Sequence, residues 1–452
     1  MIETAPSAEA AAATAELRDA LERLAGMSGE LDDASLVDAI SSLEQLKAAA
    51  AAVQARFTVA FKESQLALQK AAGVRSADQG RGISAQVALA RQESPHRAGR
   101  LVGLAVALVK EMPGTLAALA AGEISEWRAT LVVRETACLS RQDRSEVDRR
   151  LASRLIGLSD KRVVDETRKI AYAIDAASIV ARSSRAVADR RVTIRPAPDT
   201  MTFVSALLPA AQGVAAYAAL AREADSRRAT GDGRSRGQVM ADTFVQRVTG
   251  QAKADQTPVE LQLVMTEGTL LAGDQTPARL AGYGPLPAPV ARTLVRSLDD
   301  TTRVWVRRLF TDLCTGLITA MDPRRRLFEG TLRTAIIVRD EYCRTPWCGA
   351  PIRHLDHPIP VESGGQTSEP NGQGLCEACN YAKQGQGWQS CPAADGAGVG
   401  VAITTPTGHT YTSRPPPLPG APPGDAPPAV QPPRLCPIDV FIDHPFVLEY
   451  AA

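Results

Sequence analysis

Residues 339–384 read R-D-E-Y-C-R-T-P-W-C-G-A-P-I-R-H-L-D-H-P-I-P-V-E-S-G-G-Q-T-S-E-P-N-G-Q-G-L-C-E-A-C-N-Y-A-K-Q. Two cysteine pairs bracket the stretch: Cys343 and Cys348 with four residues between them, and Cys376 and Cys379 with two. Either spacing lets a short turn aim two thiolates at one ion, and two such knuckles complete a tetrahedral zinc site. A closed four-sulfur site leaves no position for substrate, so this zinc is expected to staple the fold rather than do chemistry. Between the pairs come Asp356-His357, Gly364-Gly365 and Asn371, while Asn380 follows the last cysteine and Lys383 lies three residues beyond it.

In order, spacing and identity these positions resemble the HNH endonuclease family. Its pattern is a Cys pair, Asp-His, Gly-Gly, Asn, then Leu-Cys-x-x-Cys-(His or Asn)-x-x-Lys. The resemblance implies a β-hairpin followed by a helix with a metal between them, a ββα-metal module. It also implies a metal-dependent DNA endonuclease that hydrolyses phosphodiester bonds. His357 would be the general base, Asp356 and Asn380 would hold the catalytic metal, and Asn371 would pin the loop that orients His357. The chemistry suits these groups. A neutral imidazole, with an unperturbed pKa of about 6.5, can take a proton from water. Carboxylate and amide oxygens favour a hard cation, magnesium or manganese.

The stretch departs from the family pattern at three places. Asn380 stands where many members carry His, Pro358 where a β-branched residue is usual, and Gly372 and Gly374 flank Gln373 in place of an apolar step. Adjacent residues of a regular strand face opposite sides. Pro358 and Pro360 argue that the strand breaks here, so that Asp356 and His357 can address one site.

The chain has 51 Lys plus Arg against 50 Asp plus Glu, which excludes a uniformly cationic coat for nucleic acid. Any such surface must be local. Residues 303–339 carry eight Arg against Asp312, Asp322 and Glu329. Arg324, Arg325, Arg326 and Arg339, with Lys383 in the module, are therefore the expected phosphate contacts.

The length of 452 residues suggests several domains. The fold class expected is mainly α with α+β. Residues 1–190 read as a helical domain, with breaks at 27–33, 73–82 and 112–115 and a Ser94-Pro95 helix entry. Residues 191–320 read as a mixed α/β continuation that opens with a hairpin around 197–200. The zinc-stapled module occupies 321–390, a hairpin 391–414, a proline-rich linker 415–437 and a tail 438–452. Residues 86–110 have a helix-turn-helix rhythm and are read as an ordinary helical hairpin.

The upstream chain is similar to the helical domain of unknown function that precedes HNH modules in a repeat family of GC-rich Gram-positive bacteria. The shared segments are L-A-A-L-A-A-G-E-I-S-E-W at 116–127, A-G-Y-G-P-L-P at 281–287 and W-V-R-R-L-F-T-D-L-C-T-G-L at 305–317. The N-terminus lacks an apolar signal core, and the most apolar stretch, 202–220, is broken by Ser205, Pro209, Gln212 and Gly213. A cytoplasmic protein with no membrane span is expected. The second reading, beside the nuclease, is a non-catalytic zinc-containing protein that binds nucleic acid or a partner, its nuclease site decayed.

Overall fold

The computed structural model describes residues 8–251, 263–266, 268–269, 273–280, 283–296, 328, 330–393 and 400–416. The architecture is mainly α with small antiparallel sheets, as expected. Among the described residues nine α-helices come first: α1 (Ala8–Ala25), α2 (Asp33–Ala71), α3 (Ile83–Ala90), α4 (Pro95–Glu111), α5 (Pro113–Ala120), α6 (Glu126–Glu135), α7 (Arg141–Leu151), α8 (Asp160–Ile174) and α9 (Ala176–Ala186). The breaks fall where the sequence places them. Ser94 Oγ accepts from the Arg97 amide, 3.3 Å away, at the start of α4, and Pro113 opens α5.

Strands β1 (Arg191–Pro196) and β2 (Thr202–Leu207) then pair antiparallel, Arg191 opposite Leu207. Helices α10 (Ala210–Ala229) and α11 (Arg236–Thr249) follow, the latter entered through a Ser235/Gln238 capping box. A three-stranded sheet is built from β3 (Leu263–Val264), β4 (Ala278–Leu280) and β5 (Gly284–Leu286), with α12 (Ala288–Arg296) after it. The remaining elements are α13 (Gly330–Asp340), β6 (His354–Asp356), β7 (Gln373–Leu375), α14 (Glu377–Lys383), β8 (Gln389–Pro392), β9 (Val401–Thr404) and β10 (Thr410–Ser413).

The chain forms two compact units, and they do not follow chain order. One comprises residues 1–61 and 103–179, the other 62–102 and 180–452. The consecutive segments read from sequence are thus not the packing units. In the first unit α5, α6, α7 and α8 pack around Leu119, Ile124, Val132, Val147, Leu151 and Val163, each at most 2% exposed. Asp148, on α7, reaches across to cap α5: its carboxylate accepts from the amides of Gly114 (2.7 Å) and Thr115 (2.8 Å) and from the Thr115 hydroxyl. Among the described residues no single helix is long and apolar enough to cross a membrane.

In the second unit, α3 lies against the C-terminal module. The apolar residues Ala85, Ala88 and Leu89 line one cavity with Leu375, Trp388 and Ile403. Gly82 sits at φ +78° under the Trp388 indole, where a Cβ would come within 2.7 Å of Nε1. Thr407 Oγ1 donates to Gln86 Oε1 at 3.1 Å. Instead of a simple hairpin at 391–414, β9 and β10 form the hairpin and β8 adds a third strand to it. The proline-rich linker and tail beyond residue 416 lie outside the described residues.

Candidate active site and metal centre

The four cysteines converge. Cys343, Cys348, Cys376 and Cys379 are buried, and their sulfur atoms all lie within 4.8 Å of one another. Cys348 Sγ is 3.6 Å from Cys376 Sγ and 3.7 Å from Cys379 Sγ. Tetrahedral zinc with Zn–S bonds of about 2.3 Å requires S···S separations of about 3.8 Å, so the residues fit zinc. All four thiols are free rather than paired in disulfides.

Local backbone geometry makes the knuckles. Cys343 N donates to Ala350 O at 2.9 Å, and Gly349, at φ +60°, turns the loop between. Cys376 is the N-cap of α14, where its sulfur accepts from the Cys379 amide. Crowding shifts the thiols: the Cys348 hydrogen bond is the leading influence bringing Cys343 down to about 7. Donation from Cys343, Cys348 and Cys379 pulls Cys376 lower still. A cation is what lets all four become thiolates together.

The same cluster anchors a ββα arrangement. β6 and β7 pair antiparallel, His354 opposite Leu375 and Asp356 opposite Gln373, and α14 packs on β6. β6 ends at Asp356, so His357 is the first residue past the strand and escapes its alternation. Asp356 accepts from Lys383 Nζ, on α14, at 2.5 Å, and the same ammonium donates to the His357 carbonyl. The His357 ring lies 4.4 Å from the Phe328 ring, and its Nε2 is 2.9 Å from Thr367 Oγ1. Burial, opposed by Asp356 and aided by Lys383, holds the imidazole below its ordinary value.

Asn371 is 8% exposed and clamps the loop between His357 and itself. Its Oδ1 accepts from Ile359 N at 2.9 Å, while Nδ2 donates to Ile359 O (3.0 Å) and Gln366 O (2.9 Å). The limbs of the loop touch so closely that a Cβ on Gly365 would lie 1.9 Å from Ile359 O. That contact gives Gly365 a reason the motif alone does not supply.

Asn380, 9% exposed on α14, has a buried Oδ1 with no hydrogen-bond partner among the described residues, and so does Gln373 Oε1 on β7. Orphaned buried carbonyl oxygens are rare and cost about 1–3 kcal/mol each unless something binds them. Asn380 Oδ1 is the kind of donor a hard cation takes. The Asp356 carboxylate, which now accepts from Lys383, and the Asn380 amide oxygen are both of the chemical kind that a hard divalent ion takes. The His354 ring, on β6, lies 6.0 Å from the Tyr381 ring on α14.

One sequence expectation is corrected. Arg339 does not face nucleic acid: it is 4% exposed and its guanidinium is spent inside the module. Nε donates to Asp340 at 2.8 Å, Nη1 to the Glu369 carboxylate (2.8 Å) and carbonyl (2.7 Å), and Nη2 to Gly372 O (2.6 Å). Asp340 also accepts from Arg344 Nη1 (3.0 Å) and from the Gly374 amide (2.7 Å). This buried ionic lattice ties α13 to the β7 strand and was invisible in sequence, because its acidic partners are not neighbours of Arg339 except Asp340. Lys383 is engaged with Asp356, and Arg324, Arg325 and Arg326 lie outside the described residues. The pattern also gave no sign of Thr367 or Phe328, whose only signature is proximity in space.

Comparison with known proteins agrees with this geometry. The family model of a domain of unknown function (DUF222) matches residues 11–340, and that of the HNH endonuclease matches residues 341–386. An uncharacterized protein, Rv3776, of Mycobacterium tuberculosis (strain ATCC 25618 / H37Rv) is 30% identical over 168 residues, which is 34% of this chain and 30% of that protein. The chain thus spans less than a third of that relative. No solved structure matches. The long helical match and the module that follows it show that the chain belongs to the family of proteins in which this domain of unknown function precedes an HNH endonuclease domain.

Proposed function

We propose that the protein is a metal-dependent DNA endonuclease whose chemistry resides in residues 354–383. The observation that carries this reading is the unpartnered, buried Oδ1 of Asn380 on the helix packed against the strand that ends in Asp356. Asp356 and Asn380 would hold magnesium or manganese, which supplies positive charge to the phosphate oxygens as negative charge develops on them. His357, held below its ordinary pKa and therefore neutral at pH 7, accepts the proton of the attacking water. Asn371 fixes the loop that follows His357 and so positions the base. Lys383 keeps an ammonium beside Asp356, and Arg324, Arg325 and Arg326 supply phosphate contacts. The zinc bound by Cys343, Cys348, Cys376 and Cys379 is structural.

The test is plasmid cleavage by the purified full chain with magnesium or manganese, beside His357→Ala and a chelator control. Nicking by the wild type that both controls abolish is the expected result. Retained DNA binding without cleavage of duplex, single-stranded or branched substrates would refute the enzyme and leave the zinc-containing binding protein.

A further inference from the structure

Strands β1 and β2 form a sheet of their own, and among the described residues no third strand joins it. Their register sorts the side chains, because directly opposed residues share a face. One face pairs Val192 with Ala206, Ile194 with Val204 and Pro196 with Thr202. The other pairs Arg191 with Leu207, Thr193 with Ser205 and Arg195 with Phe203. The first face is apolar but for Thr202, yet every residue of both strands is exposed, Val192 at 69% and Ile194 at 67%. A two-stranded hairpin alone is marginal in water; a third strand or a packed helix is what stabilises it.

The second face carries charge along β1. Arg191 and Arg195 stand four positions apart, and neither has a carboxylate partner among the described residues. Arg191 donates to the Asp189 carbonyl at 3.1 Å, and the Arg195 guanidinium lies 4.2 Å from the centre of the Phe203 ring. β2 offers Phe203, Ser205 and Leu207 on this face, so its edge has no such charge.

A matching segment lies in the same chain. Residues 438–443 read I-D-V-F-I-D, with Pro437 before them and Pro445 shortly after. On a strand Ile438, Val440 and Ile442 share one face, and Asp439, Phe441 and Asp443 share the other. Asp439 and Asp443 have the spacing of Arg191 and Arg195. One register, in either strand direction, sets both carboxylates beside both guanidinium groups and lays Val440 and Ile442 beside Val192 and Ile194. Residues 438–450 carry Asp439, Asp443 and Glu449 and no Lys or Arg, so the charges of the two partners are complementary. Reach is sufficient. Residues 417–437 are proline-rich and, fully extended, would span about 65 Å. A compact unit of this size has a radius of gyration of only about 19 Å.

We propose that residues 438–443 dock as a third strand on the free edge of β1 in the same chain, with Asp439 and Asp443 paired to Arg191 and Arg195. The chain then runs past the HNH module and returns to the domain of unknown function that precedes it, whose hairpin it covers.

Amide hydrogen exchange across residues 190–208 of the full-length, zinc-loaded protein tests this. It is measured beside a chain ending at Pro437, the pair Asp439→Arg/Asp443→Arg, and that pair combined with Arg191→Asp/Arg195→Asp. Each sample is run at two protein concentrations, with molar mass from light scattering. In the full chain β1 should be protected to the same degree at both concentrations. Exchange should quicken by about tenfold or more on truncation and on reversal of the two aspartates, and slow again in the four-residue swap. The substituted chains keep their full length, so they decide the matter even if truncation disturbs the fold elsewhere. Equal exchange in the full and truncated chains would overturn the proposal. So would protection that rises with concentration as the mass doubles, which would give the face to a second copy. A swap that restores nothing would overturn the pairing of the aspartates with the arginines.

Discussion

Replacing Arg339 by Met separates a structural arginine from a phosphate-binding one. The guanidinium lies 5% exposed between Asp340 (0%) and Glu369 (9%). Burial alone would lower its pKa, but the two carboxylates outweigh burial and hold it above the ordinary value. Methionine fills much of the space and makes none of the four hydrogen bonds. Asp340 keeps Arg344 and the Gly374 amide, whereas Glu369 is left as a buried carboxylate without its cation, and the carbonyls of Glu369 and Gly372 lose their donor. Breaking one partner out of a buried ion pair costs about 3–5 kcal/mol. At 1.36 kcal/mol per factor of ten, local opening should rise roughly a hundredfold to a few thousandfold. A chain of two compact units does not melt as one, so the readout must be local. Amide hydrogen exchange across residues 341–390, with zinc release to a colorimetric chelator, reports it directly. Exchange within about threefold of wild type, together with a salt dependence of DNA binding shallower by about one phosphate contact, would refute the buried role and restore the phosphate-binding one.

Three further outcomes follow from the geometry. Cys379→Ser should lose the bound zinc and the protection of the module from hydrogen exchange, measured by metal analysis and exchange on one sample; full zinc content in this variant would refute the four-sulfur site. Gly365→Ala should abolish cleavage and unfold the loop without loss of zinc, because its Cβ would meet the Ile359 carbonyl oxygen at 1.9 Å; wild-type rates would show that the loop limbs are not in contact. Glu135 accepts from Arg134 and Arg168. Burial pushes its pKa up, but those hydrogen bonds outweigh it and hold the carboxyl below its ordinary 4.5. Its stabilising contribution is therefore full above pH 4.5 and fades as pH falls through the lowered value. Glu135→Gln should flatten that acid limb in a pH series of thermal melts, and an unchanged limb would remove the argument.

The module was legible because its candidate metal-binding and catalytic residues are chemically scarce types at fixed spacings. Four cysteines, Asp356, His357, Asn371 and Asn380 can be read from order alone. The helical breaks were legible for a similar reason: Gly73, Ser94-Pro95 and Pro113 punctuate the chain through local backbone preferences. Arg339 was misread because burial of a charge depends on partners such as Glu369, thirty residues away and without local pattern. Strand β8 was missed because Q-S-C-P has neither alternation nor β-branched residues, and ends on a proline that only an edge strand tolerates. The two-unit division was illegible for a plainer reason. Residues 62–102 fall in the second unit, and within them the apolar run of α3 has its partners in the last quarter of the chain.

That docking of α3 has a consequence for synthesis. Gln86 and Thr407 are 321 positions apart, so the helix leaves the ribosome long before the surface it covers exists. Until then Ala85, Ala88 and Leu89 have no cover from Trp388 and Ile403. Closing so long a loop is slow even when it costs little extra free energy. A fragment cut at residue 341, where the HNH match begins, would carry the four clustered cysteines with Asp356, His357, Asn371 and Asn380 yet lack this lid. It would expose the indole of Trp388, and its aggregation would say nothing about whether the nuclease works.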